Sequence, residues 1–189
     1  FKALSLADSG QRDLTFGLDN GSQTLRLNFA LTKKAETVEP LPEGILTGVT
    51  VTYNGKDGKP LSIQNAIVPV DATMNVVYNF QLPSENDTNT FQKNQLYSFE
   101  IPTIFQVNGT IEEDIKAGQE VYGHFTVSYD ETAKKNTAAI TFNEKAEFGS
   151  SGMFGFSAGA SEAELGGGGK KEIRFLLGGT SEAAPIEIV

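Results

Sequence analysis

The 189-residue chain carries 24 acidic and 15 basic side chains, a formal net charge of −9, and no cysteine. This balance argues against nucleic acid as a partner, because binding phosphate needs a basic face that releases counterions. Thiol chemistry is excluded, but an extracellular site is not, since disulfides are permitted rather than required outside the cell. Thirteen Phe and five Tyr with no Trp supply large rigid side chains for a sizeable core. No apolar run approaches the ~18 residues of a spanning helix, so no membrane insertion is expected. No signal peptide precedes Phe1, and the expectation is a soluble or mature fragment.

Residues 1–34 read as a strand pair: D-L-T-F-G-L, the turn D-N-G-S, then T-L-R-L-N-F-A-L. Leu25, Leu27, Phe29 and Leu31, or their neighbours if the register slips, would form its core face. Alternating strands left isolated are marginal in water, so the pair is expected to pack on the following domain rather than to be the remnant of a preceding module. Residues 35–44, A-E-T-V-E-P-L-P-E-G, lack periodicity and read as a solvated, extended linker. Residues 45–189 read as one domain.

Within that domain, strands are predicted at Leu46–Tyr53, Thr73–Phe80, Leu96–Ile101, Val121–Tyr129, Thr137–Phe142, Met153–Ser157, Lys171–Leu177 and Pro185–Val189, with a weaker one near Ser62–Val68. The block from Tyr97 to Ser157 alternates apolar and polar residues in four pieces, the period of a strand with one face in a core. Connections such as N-G-K-D-G-K after Tyr53 and P-S-E-N-D after Leu82 carry turn chemistry. Only Thr110–Lys116 and Ala158–Leu165 offer a turn or two of helix, the second through S-E-A-E-L. The fold class is therefore an all-β, antiparallel sandwich with an N-terminal strand pair.

The candidate chemical residues have bland readings. His124 is the sole histidine, so no two-His metal site can form and any Ser-His triad would have to use it. It lies opposite Phe125 and Val127, on the solvated face of its strand. Glu112 to Asp114 and Glu162 with Glu164 lack the sugar-stacking surroundings of a glycosidase acid and base and read as a loop or helix start. The turns Asp19–Ser22 and Tyr53–Lys59 offer oxygen ligands for Ca²⁺ without the spacing of an EF-hand. Asn20, Asn86 and Asn108 head glycosylation-like tripeptides. Gly166–Lys171 lacks a phosphate-loop frame and reads as a hairpin connection. No catalytic, cofactor-binding or metal residue is assigned, and no cofactor is expected.

The ordered run I-L-T-G-V-T-V-T-Y-N-G-K-D-G-K-P-L (45–61), Y-N-F-Q-L-P (78–83), N-Q-L-Y-S-F-E-I-P (94–102), G-H-F-T-V-S-Y-D (123–130), A-A-I-T-F-N-E-K (138–145), G-M-F-G-F-S-A (152–158), K-K-E-I-R-F-L-L-G-G (170–179) and P-I-E-I-V (185–189) resembles a known family. It is similar to the first immunoglobulin-like subdomain of Gram-positive cell-wall adhesins of the collagen-adhesin and fibrinogen-binding type, over about residues 45–189. The resemblance implies an immunoglobulin-like sandwich from a secreted, cell wall-anchored, non-enzymatic protein. Its partners would be a matrix or plasma protein, or a surface glycan, together with an adjacent immunoglobulin-like subdomain. Ligand binding in that family usually needs two subdomains, and one is visible here. The family also implies a candidate Lys–Asn isopeptide bond, which requires a buried Lys, an Asn and a protonated acid in one apolar pocket. Inside the predicted strands Lys occurs only at Lys171 and at the flanks, and the bond belongs more often to other subdomains, so it is not expected here. The competing reading is a carbohydrate-binding or accessory β-sandwich module of a secreted protein.

Overall fold

A computed structural model describes residues 10–18, 21–29, 37–55, 58–64, 67–69, 71–87, 91–117, 119–161, 164, 169–177 and 180–188, with backbone only at 10–18, 21–29, 117 and 180–188. The chain divides into two compact units, Phe1–Glu36 and Thr37–Val189. In the first, β1 (Gly10–Leu18) and β2 (Gly21–Phe29) pair antiparallel, with Leu14 opposite Leu25 and Leu18 opposite Gly21. The strand pair expected from the sequence is present, while its proposed core side chains, Leu25 to Leu31, lie outside those described.

The second unit is an all-β sandwich. Its first sheet uses β3 (Val38–Pro40), β8 (Leu96–Ile101), β10 (Thr110–Ala117), β11 (Glu120–Asp130) and β12 (Lys135–Phe142), in the order β10-β11-β12-β8-β3. The second uses β4 (Leu46–Asn54), β5 (Pro60–Ser62), β7 (Met74–Gln81), β9 (Phe105–Gln106) and β13 (Ser151–Ala160), in the order β5-β4-β7-β13-β9. A third, three-stranded sheet joins β14 (Gly169–Leu177), β15 (Thr180–Ile188) and β6 (Ile67–Val68), in the order β14-β15-β6. All pairings are antiparallel except β3 with β8 and β15 with β6.

The period of two in the sequence becomes the core. Along β7, Met74, Val76, Tyr78 and Phe80 are buried while Asn75, Val77 and Asn79 are not. Phe125 and Val127 of β11 and Ala138, Ile140 and Phe142 of β12 supply the facing layer. Aromatic rings link the sheets at Phe125–Phe154 (4.9 Å between centroids), Phe80–Phe142 (5.1 Å) and Tyr78–Phe99 (5.3 Å). Tyr78–Phe99 is edge-to-face and the other two are tilted, and aromatic pairs of this kind add about 0.5–1.5 kcal/mol each beyond the area they bury. Phe175 of β14 extends the cluster, 6.2 Å from Tyr78 and 5.9 Å from Phe105. The third sheet therefore shares this core.

Two glycines set the spacing of β13 against β7. A Cβ on Gly155 would lie 2.4 Å from the Val76 carbonyl oxygen, and one on Gly152 would lie 2.9 Å from the Phe80 ring. The G-x-F-x-F pattern thus reflects close approach between strands.

Several predicted elements change. Thr110–Lys116, read as a turn of helix, is strand β10. Ile111 and Ile115 are four apart, a spacing shared by one helix face and by strand positions of equal parity, and the ladder that places them opposite Val127 and Gly123 decides for strand. Ala158–Ala160, read as the start of a helix, completes β13, and a single turn follows in which Glu164 N donates to Ser161 O (3.1 Å). Residues 162, 163 and 165 lie outside the described set. The weak Ser62–Val68 strand resolves into β5 and β6, which belong to different sheets. Within the stretch read as a linker, Val38–Pro40 forms an edge strand on β8. The last strand begins at Thr180, five residues before the predicted start.

Candidate functional site

The singled-out titratable residues do not converge. His124 is exposed on β11 opposite Asp114 of β10, with Nδ1 3.4 Å from the Asp114 carboxylate, and Lys116 Nζ lies 3.7 Å from the same carboxylate. Glu112 and Glu113 are exposed on the same strand, and Glu164 lies in the turn after β13. Among the described residues no group of three or more His, Asp or Glu side chains is placed to hold a metal ion. The loop after Tyr53 closes on itself, Gly55 N donating to Lys59 O and Gly58 N to Gly55 O (both 2.9 Å). Asn86 lies in an exposed turn and Asn108 is exposed before β10. Asp19, Asn20, Glu162 and 166–168 lie outside the described residues.

Asn136 is the one buried polar side chain among the described residues. Its Nδ2 donates to Phe105 O (2.8 Å) and Pro102 O (3.0 Å), while Oδ1 makes no hydrogen bond to the protein. No described Lys, Asp or Glu is buried beside it, so the trio that an isopeptide bond requires is not assembled there. Lys171 is half-buried at the start of β14.

The feature that stands apart is an edge. A sheet edge presents unpaired backbone N–H and C=O groups, and proteins usually protect it with charge, Pro, a bulge or shortness. The edge strand β10 carries Glu112, Glu113, Asp114 and Lys116 and a register break between Ile115 and Lys116. Glu113 shares the parity of Ile111 and Ile115, so a charge sits on the core-facing register of that edge. The edge strands β3 and β5 are three residues long, and each contains Pro.

Strand β13 has no charge, Pro, bulge or shortness to protect it, and among the described residues its cover on one side is the neighbouring strand β10, which does not pair with it. Strand β13 pairs with β7 from Ser151 to Ala158, but on its other side β9 covers only Gly159 and Ala160. The ten residues S-G-M-F-G-F-S-A-G-A contain no charge and no Pro. Among the described residues no strand pairs with Ser151–Ala158 on that side. Strand β10 runs beside β13, with Cα atoms within 8 Å but no ladder between them.

The outer faces of the two sheets also differ. The first carries Glu100 paired with Lys135 (2.6 Å), and Asp114 with His124 and Lys116. On the second, Thr50, Thr52, Asn75, Val77, Asn79, Met153 and Ser157 share one face by register, and none is charged. Met153 is 61% exposed, and Ser157 Oγ donates to Asn75 Oδ1 (2.7 Å).

Period-two patterning located β13 but not its open side, because which strand ends a sheet depends on long-range pairing. The missing charge and Pro in S-G-M-F-G-F-S-A was the available signal. Comparison with protein-family models and with curated proteins finds no match for the chain.

Proposed function

We propose that this chain is a non-enzymatic adhesive domain of a Gram-positive cell-wall protein, attaching non-covalently to a matrix or plasma protein by strand addition along β13. The β13 edge, unpaired from Ser151 to Ala158 and free of charge and Pro, is the observation that carries this reading. An added strand satisfies the open backbone groups and gains affinity from main-chain hydrogen bonds, while side-chain pockets supply selectivity. The charge-free face beside it supports the reading, because charged residues are depleted at the core of protein interfaces. An inserted strand needs about 10 Å between its neighbours, two strand spacings. Strand β10 lies closer than that, so binding would move it outward. That movement works against the β10–β11 ladder and the burial of Ile115, which the hydrogen bonds of the added strand have to offset. The immunoglobulin-like motif order supports an extracellular, cell wall-anchored setting with a neighbouring immunoglobulin-like subdomain.

The test uses Met153→Lys combined with Ser157→Lys. Both positions are exposed, so the melting temperature should stay close to wild type. On a panel of immobilised matrix and plasma proteins, wild type should bind at least one saturably, and the double variant at least tenfold more weakly. No saturable protein ligand for the wild type, or full affinity in the double variant, would sink the reading.

A further inference from the structure

A second surface, independent of the β13 edge, has the construction of a small-ligand site. Residues from three segments line a cleft of about 410 Å³: the Thr103–Asn108 loop, the hairpin between β11 and β12, and Ser161 with Glu164 after β13. That volume falls within the roughly 300–1,000 Å³ of small-molecule sites. Its floor is apolar, formed by buried Phe105 and Val107, and half-buried Tyr129 stands beside it.

Hydrogen bonds fix parts of each segment. The buried Asn136 amide holds the Phe105 and Pro102 carbonyls. Ser161 N donates to Ile104 O (2.7 Å), tying the turn after β13 to the loop. In the hairpin, Asp130 Oδ1 accepts from Thr132 N (2.8 Å) and Ala133 N (2.9 Å). These bonds order the Thr103–Asn108 loop, Ser161 and the start of the hairpin before any ligand arrives, which lowers the ordering cost of binding.

Lys134 supplies the strongest clue. It adopts φ +54°, the left-handed region that Gly or Asn occupies more easily, and its Nζ lies 3.0 Å from Glu131 Oε2 at the mouth of the cleft. That backbone conformation is strained for a non-Gly residue and sets the Lys134 side chain beside Glu131 among the residues that line the cleft.

The lining selects the chemistry. The lining carries two carboxylates, Glu131 and Glu164, and one ammonium, Lys134, so an anion is disfavoured. Glu131 already has Lys134 as its partner, and the one further carboxylate, Glu164, supplies too few charged oxygen ligands to hold a metal cation. Gln106 and Asn108 each offer both donors and acceptors. Neutral sugar hydroxyls, which donate and accept at once, match this mixture, and a sugar ring can lie against an aromatic face. We infer that this cleft binds one or two rings of a neutral saccharide, with Tyr129 as the platform and Gln106, Asn108, Glu131 and Lys134 as hydrogen-bonding groups.

Saturation-transfer NMR against glucose, galactose, mannose, N-acetylglucosamine, lactose, cellobiose and maltose, followed by titration of any binder, tests the proposal. At least one sugar should bind saturably. Tyr129→Ala should weaken it at least tenfold, and Gln106→Ala, at an exposed position that leaves the fold intact, at least threefold. Lys134→Gly should raise the melting temperature yet weaken the sugar at least threefold, an opposition that a purely structural Lys134 would not produce. Met153→Lys with Ser157→Lys should leave sugar affinity unchanged. Absence of saturable binding to every sugar, or binding that survives both Tyr129→Ala and Gln106→Ala, overturns the proposal and leaves the β13 reading standing.

Discussion

Tyr78 sits among Phe99, Phe154 and Phe175, and its hydroxyl makes no hydrogen bond to the protein. Burial pushes its ionisation well above the ordinary tyrosine range. A buried hydroxyl without a partner has lost its water and gained nothing in return, so Tyr78→Phe should stabilise the domain by about 1 kcal/mol, read as a higher midpoint in urea. A lower midpoint would mean that the hydroxyl is satisfied. Asp130 behaves in the opposite sense. Backbone donors, Ala133 N–H first and Thr132 N–H second, hold its carboxyl below the ordinary value of 3.8. The folded state therefore binds this proton less tightly than the unfolded chain does. The resulting stability is present above pH 3.8 and drains away as pH falls through the lowered folded value. Asp130→Ala should lose that share at neutral pH and show a flatter acid limb in urea melts below pH 4; an unchanged acid limb would refute the capping role. Neither effect is visible in sequence. Asp130 reads there as an ordinary turn residue, and Tyr78 as one alternating aromatic among many.

At the scale of elements, the strands that alternate cleanly, β7, β11, β12 and β13, were legible because each buries one face continuously. Short or charged strands were not. The sequence of β10 suits a helical turn as well as a strand, and β3 hides in a Pro-Glu stretch, because only pairing with β11 and β8 makes them strands. The final element illustrates the energetic consequence. Strand β15 pairs with β14 along nine residues and with β6 through Glu187 and Ile188. Pro185 lies opposite Glu172, and the β6 ladder begins only at Glu187, so the missing N–H falls outside that second ladder. Ending the chain after Leu177 would strip β14 of its partner, and β14 contributes buried Ile173, Phe175 and Leu177. The truncated protein should melt at least 10 °C lower; an unchanged melt would mean that β14 is held by packing alone.

At the scale of the whole molecule, the buried cluster from Ile45 to Leu177 lies within the second unit. A chain restricted to residues 37–189 should therefore unfold in one cooperative transition by circular dichroism; a broad, non-cooperative melt would show that the sandwich needs residues 1–36. The molecule also distributes charge unevenly. A net charge of −9 coexists with an outer sheet face that has none, and composition averages that contrast away.

The sequence by itself determined the all-β class, the N-terminal strand pair and most of the core, because alternation is a local property of each segment. Tertiary structure decided which strand ends each sheet, that β13 has no pairing partner on one side from Ser151 to Ala158, and that Tyr129, Gln106 and Lys134 meet around one cleft. Those features arise from pairings between residues far apart in the chain, and no local pattern encodes them.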